Sequence, residues 1–81
     1  MKKISKKQFK TSNFYLSAFL ICKGLKIVDV DRQNPRRALF VFEDSLKREE
    51  LVREFEFGKT ALVDVRIYAS TLKELKNKLY S

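Results

Sequence analysis

The side chains of this sequence that could most directly bind a ligand are its basic ones. The first ten residues hold five lysines and no acid, and they supply most of the net charge of +8. Such a concentrated positive segment attracts polyanions over long range and releases their counterions on binding. A solvated terminus that only keeps the chain soluble explains the same lysines equally well. If the segment does bind, the sequence predicts an electrostatic, non-specific contact with nucleic acid through Lys2, Lys3, Lys6, Lys7 and Lys10.

A second basic group surrounds a predicted turn. Arg36 and Arg37 follow Arg32 across a stretch that contains Asn-Pro, a dipeptide that initiates turns. Arginine at such a tip pairs in a bidentate manner with phosphate or guanine, so we expect Arg36 and Arg37 to orient a bound nucleic acid. The simpler explanation, which the sequence favours, is that the arginines pair with Asp29 and Asp31 on the preceding strand.

Arg66, Lys73 and Lys76 form a third basic group, in the last part of the chain. They fall on one edge of the last predicted helix, beside its apolar stripe and near Tyr80. We expect them to continue the nucleic-acid contact. Lysines late in a helix also complement its dipole without any ligand, and the sequence favours that explanation.

The chain lacks the residues on which most enzymes depend. It has no histidine and a single cysteine, Cys22, which removes histidine-dependent triads and the common zinc sites. Asp29 and Asp31 share one face of a predicted strand, and metal-dependent nucleases need converging carboxylates. Exposed acids at a strand end are the simpler explanation. We therefore predict a non-enzymatic protein with no catalytic residue, no metal site and no cofactor.

Length and composition indicate one small domain in a reducing compartment. An 81-residue chain with 44% hydrophobic residues is long enough to bury a modest core. Its lone cysteine cannot form an internal disulfide, which favours the cytoplasm. The apolar run at residues 14–22 is too short to cross a membrane, so we expect no membrane contact. We place a basic arm at residues 1–10 and a single domain at residues 11–81.

The spacing of apolar residues predicts a small α+β domain. Its elements follow the order (β)-α-β-β-α-α, an antiparallel hairpin or three-stranded sheet with helices packed against it. The strands of the hairpin flank the turn at residues 32–36, and Val28 and Val30 should share one face of the first strand. Residues 8–11 would supply the third strand, and residues 60–63 are either a short strand or a linker.

Three helices are bounded by residues with known capping preferences. Serine, asparagine and aspartate accept hydrogen bonds from the first amides of a helix, and glycine adopts the left-handed conformation that ends one. The predicted N-terminal caps are Ser12 or Asn13 for the first helix, Asp44 or Ser45 for the second and Asp64 for the third, and Gly24 and Gly58 end the first two helices.

The first helix is apolar on nearly every side, which is unusual for so small a domain. A helix of that kind must be covered all round, either by the rest of the chain or by a second copy. Phe14, Tyr15, Phe19 and Leu20 are the large side chains that such a contact would use. The alternative to nucleic-acid binding is therefore a homodimer or a protein–protein module built on this helix. A minor variant is a ribbon-helix-helix dimer whose strand is residues 37–43.

Several segments together resemble a small family of uncharacterised domains found in bacteria and their phages. The resemblance lies in TSNFYLSAFL at residues 11–20, in FVFED at residues 40–44 and in LKELK at residues 72–76. It extends over nearly the whole chain. It implies a compact, stand-alone cytoplasmic protein of bacterial or phage origin, and it brings no assigned activity and no site residues.

Overall fold

The computed structural model describes residues 7–34, 36–58 and 62–80. The elements are β1 (Gln8–Thr11), α1 (Phe14–Cys22), β2 (Ile27–Asp31), β3 (Leu39–Glu43), α2 (Leu46–Phe57) and α3 (Val65–Tyr80). This order confirms the predicted α+β domain, including its third strand. The sheet begins at Gln8, inside the stretch assigned to the basic arm. Leu62 and Val63 lie in no strand, and the rest of the segment at residues 60–63 lies outside the described residues.

The three strands form one antiparallel sheet with the order β1-β3-β2. β3 is central, and its Phe42 lies opposite both Phe9 of β1 and Ile27 of β2. Because β3 is paired on both sides within the chain, it has no free edge on which a second copy could pair. The ribbon-helix-helix variant is therefore wrong.

β2 departs from strict alternation at Val28. The register shifts between Ile27 and Asp29, so Val28 is an extra residue in the ladder, a β-bulge. The bulge leaves Val28 50% exposed, whereas Ile27 and Val30 both pack against the core. The expectation that Val28 and Val30 share a face is wrong for this reason.

α1 is the central helix, and the rest of the chain covers it. Residues 16–20 are all buried. The Phe19 ring lies 5.4 Å from that of Phe55 in α2, the Phe14 ring lies 6.2 Å from that of Phe40 in β3, and α1 also contacts α3. The sheet, α2 and α3 together therefore supply the cover that a helix apolar on all sides requires.

The helix ends follow the local sequence. Gly24 has a φ of +102°, and the Leu25 N–H donates to the Leu20 carbonyl at 3.0 Å, which is a Schellman ending. Gly58 ends α2 differently, with an ordinary φ of −72°, where a Cβ would lie 2.4 Å from the Glu54 carbonyl oxygen. Predicted side-chain caps are confirmed at Asn13 for α1, Ser45 for α2 and Asp64 for α3.

Candidate functional site

A cavity of about 540 Å³ opens where the connection between β2 and β3 approaches the end of α3. Arg32, Arg36 and Arg37 line it from that connection, and Tyr80 of α3 and Phe14 of α1 line it from the other elements. Among the described residues, no aspartate or glutamate lines this cavity. We call the cavity with its three arginines, Phe14 and Tyr80 the arginine groove.

Two short polar side chains fold the β2–β3 connection so that its arginines come together. Asp31 Oδ1 accepts a hydrogen bond from the Gln33 N–H at 3.0 Å, and Asn34 Oδ1 accepts one from the Arg36 N–H at 2.9 Å. Both are Asx turns, in which a side-chain oxygen takes the place of a backbone carbonyl. The Arg37 N–H donates to the Asn34 carbonyl at 3.1 Å and completes a tight turn before β3.

Arg37 reaches across to the connection between β1 and α1. Its Nη2 donates a hydrogen bond of 3.2 Å to Ser12 Oγ. Ser12 directly precedes Asn13, the N-terminal cap of α1, so the positive end of that helix dipole lies beside the guanidinium group. This hydrogen bond fixes one wall of the arginine groove. The helix end beside it adds partial positive charge to that wall.

Asp31, which the sequence suggested as an arginine partner, faces the other side of the sheet. Its Oδ2 lies 3.4 Å from Lys10 Nζ. The pKa of Asp31 is lowered from its ordinary value of 3.8, first by the hydrogen bond from Gln33 and then by Lys10. Both oxygens of this carboxylate are therefore engaged away from Arg36 and Arg37.

α3 continues the basic surface beyond the groove. Lys73, Lys76 and Tyr80 follow one another at spacings of three and four residues, which places them on one side of the helix. All three are exposed, whereas the neighbouring Leu79 packs against the core. We call Lys73, Lys76 and Tyr80 the α3 strip, and it leads away from the arginine groove along α3.

The base of the lysine arm lies at the opposite end of the sheet from the groove. The Lys7 carbonyl accepts a hydrogen bond of 3.0 Å from the Asp44 N–H, where β3 leads into α2. Lys10 lies on β1 and pairs with Asp31. The structure therefore brings neither lysine into the groove, and the remaining arm residues Lys2, Lys3 and Lys6 lie outside the described residues.

Comparison with known proteins places the chain in a family. A family model described as "Domain of unknown function (DUF5659)" matches residues 6–81. The chain belongs to this family. The match confirms the resemblance to an uncharacterised domain family. No curated protein and no solved structure matches this DUF5659 domain.

The α1 side chains predicted as a contact surface divide into two kinds in this DUF5659 domain. Phe19 and Leu20 are 2% and 0% exposed, because the chain's own sheet and helices cover them. They offer no surface to a second chain in this fold, which corrects the prediction for these two residues. Phe14 is half-buried beside the groove, and Tyr15 is exposed at 59% of its surface.

Sequence reasoning left Arg32 and Tyr80 out of the predicted site of this DUF5659 domain. Tyr80 stands four residues after Lys76, and that helical spacing was a usable signal. Arg32 opens the same turn that contains Arg36 and Arg37. The meeting of this turn with the end of α3 had no sequence signal, because it depends on tertiary packing.

The other large cavities of the DUF5659 domain carry carboxylates. One of about 730 Å³ lies beside the start of α2 and includes Glu43, Asp44 and Glu49, and one of about 600 Å³ on α2 includes Glu50 and Glu54. Within residues 7–34, 36–58 and 62–80, no group of three or more His, Cys, Asp or Glu side chains could hold a metal ion. In the same part of the chain, no helix is long and apolar enough to span a bilayer.

Proposed function

We propose that this DUF5659 domain is a non-enzymatic accessory or regulatory protein that binds nucleic acid through the arginine groove. The proposal rests on Arg36 and Arg37, which line one cavity that no described carboxylate lines. Arg32 lines the same cavity. Guanidinium groups match the geometry of phosphate oxygens and form paired hydrogen bonds with them. A polyanion would gain several such contacts here at once.

Two further groups of cations would support binding. Lys73 and Lys76 extend the positive surface from the groove along α3, where they would meet neighbouring phosphates. The lysine arm would add long-range attraction for the same polyanion. Phosphate contacts carry no sequence information, so we expect binding to be largely independent of sequence.

The alternative, self-association through α1, has less support. Of its four proposed contact residues, Phe19 and Leu20 belong to the core. A homodimer or a protein partner that contacts the accessible part of this surface, Phe14 and Tyr15, stays a prediction. The cytoplasmic location, which the single Cys22 favours, and the bacterial or phage origin also stay predictions.

Two double variants that remove equal charge test the proposal. Arg36→Ala with Arg37→Ala removes two cations from the groove, and Lys47→Ala with Arg53→Ala removes two from the exposed surface of α2. Binding is measured by fluorescence anisotropy with labelled mixed-sequence DNA and RNA at about 0.15 M salt. We expect the groove pair to weaken binding about tenfold or more, and the α2 pair to change it little.

The salt dependence separates binding in the groove from general attraction of a basic protein to polyanions. Each lost phosphate contact lowers the slope of log affinity against log salt by about 0.7 to 0.9. The groove variant should therefore have a slope flatter by about 1.4 to 1.8, and the α2 variant should not. Equal losses in the two variants, or no binding by the unmodified protein at about 0.15 M salt, would overturn the proposal.

A further inference from the structure

We infer that the arginine groove holds an unpaired nucleotide, so that the ligand is single-stranded rather than double-stranded nucleic acid; this rests on the proposed function and narrows it to one class of ligand. The groove is concave and encloses about 540 Å³, a volume in the range of small-molecule sites, about 300 to 1,000 Å³. A single nucleotide is a ligand of that scale. A duplex keeps the faces of its bases inside the stack and presents only base edges, sugars and phosphates.

Tyr80 gives the groove a surface on which a base can stack. Its side chain lines the cavity although 83% of it is exposed. The adjacent Leu79 packs against the core, so the backbone that carries Tyr80 is held in place. Sites for single strands combine a positively charged track with aromatic rings on which bases stack, and this works for every base.

Phe14 and Arg37 line the groove together with Tyr80. The Phe14 ring packs at 6.2 Å from Phe40 of the central strand, and Arg37 is fixed by its hydrogen bond to Ser12. An apolar wall and a fixed cation therefore lie within one cavity. A nucleotide needs both of these next to each other, the apolar wall for its base and the cation for its phosphate.

The α3 strip favours a strand over a free nucleotide. Lys76 precedes Tyr80 by one helical turn and Lys73 by about two, and each turn advances about 5.4 Å along the helix. Successive phosphates of a strand that leaves the groove along α3 would meet these lysines. A free nucleotide would lack those contacts, so affinity should rise with the length of the strand.

Substitutions of Tyr80, combined with four probes, test the inference. The probes are a single strand of about ten nucleotides, the same strand with its bases removed, its duplex and a mononucleotide. Tyr80→Ala should weaken binding of the intact strand about 5- to 150-fold, because stacking of the base is lost. Tyr80→Phe keeps the ring and should bind as the unmodified protein does.

The base-free strand and the duplex are the decisive controls. Neither offers a base face to Tyr80, so Tyr80→Ala should leave their binding unchanged. Circular dichroism and thermal unfolding of both Tyr80 variants should match the unmodified protein, because the side chain is exposed.

The outcomes separate failure of the inference from failure of the proposed function. Equal losses on all probes, or tighter binding of the duplex than of the strand, would overturn the inference. If a mononucleotide binds as tightly as the strand, the ligand of the groove is a free nucleotide and the inference of a single strand is overturned. In each case, weaker binding by the double variant Arg36→Ala with Arg37→Ala would still support the proposal that nucleic acid or a nucleotide binds in the groove. If that double variant binds every probe as tightly as the unmodified protein does, the proposed function itself is overturned.

Discussion

Arg48 shows how one residue can hold three parts of this small domain together. Its Nε donates a hydrogen bond of 2.7 Å to Asp44 Oδ1, and its guanidinium group lies 4.3 Å over the Phe9 ring of β1. Its backbone N–H donates to Ser45 Oγ at the start of α2. The hydrogen bond from Arg48 is the main cause that lowers the pKa of Asp44 from its ordinary value of 3.8.

Replacing Asp44 with asparagine should therefore destabilise the fold in a pH-dependent way. Because the pKa of Asp44 is lower in the folded state, the unfolded state binds more protons just below pH 3.8. The contribution of the charged carboxylate is present at neutral pH and is lost as the pH falls through that lowered pKa. Asp44→Asn should melt at a lower temperature than the unmodified protein at pH 7, and the difference should shrink at about pH 2.

Circular dichroism melts at both pH values measure this difference, with Glu56→Gln as the control. That substitution removes the same charge from an exposed position on α2 and should have a small effect at either pH. A deficit in Asp44→Asn that stays as large at acidic pH would contradict a role for the carboxylate charge.

At the scale of whole elements, the structure bears on whether α1 is covered by its own chain or by a second copy. Phe19 of α1 lies in the core of its own chain. Phe19→Ala should lower the free energy of unfolding by about 3 to 5 kcal/mol, because it leaves a cavity against Phe55 and the core. Tyr15→Ala, on the exposed side of the same helix, should cost about 1 kcal/mol or less. Its backbone carbonyl, which accepts a hydrogen bond from Tyr68, is unaffected by the substitution.

Urea unfolding measures both free energies, and sedimentation tests the alternative that α1 is an interface. An unchanged free energy for Phe19→Ala, together with a smaller assembly, would show that this helix contacts a second copy rather than its own sheet.

The elements could be predicted from the sequence to the extent that local interactions determine them. The helix ends depend on residues within one helical turn, and the sequence predicts Asp64 and Gly24 outright. For the first two helices it narrows the cap to two neighbouring residues, of which the structure uses Asn13 and Ser45. The sequence does not predict the bulge at Val28, because the bulge depends on how β2 pairs with β3. A register shift leaves no mark in the alternation of a strand this short.

At the scale of the whole molecule, the arginine groove and the glutamates of α2 belong to different cavities, which the net charge of the chain does not reveal. The arginine groove lies at the end of the sheet where β2 turns into β3, whereas a cavity on α2 carries Glu49, Glu50 and Glu54 beside one arginine, Arg53. The sequence identified Arg36 and Arg37 because arginines crowd a turn. It did not join them to Tyr80, which is more than forty residues away in the chain, because only tertiary packing brings the two together.

Lys7, at the base of the lysine arm, lies at the end of β1 away from the groove, and we predict that the arm and the groove act independently. Gln8 lies opposite Glu43, and Thr11 lies opposite Phe40, which lines the groove. The arm therefore joins the domain at the far end of β1, roughly 10 Å from the groove at about 3.4 Å per residue. Deleting residues 1–6 removes Lys2, Lys3 and Lys6 but keeps β1, which a deletion through residue 10 would destroy.

That deletion should weaken binding to single strands and duplexes by the same factor and flatten the salt dependence of both. The preference for single strands, and the loss caused by Tyr80→Ala, should remain, because both arise in the groove. A chain of full length with Lys2, Lys3 and Lys6 changed to glutamine is the matched control, and it should bind as the deletion does. If either form loses the preference for single strands, the arm takes part in recognition of the base, and the groove alone does not account for the choice of ligand.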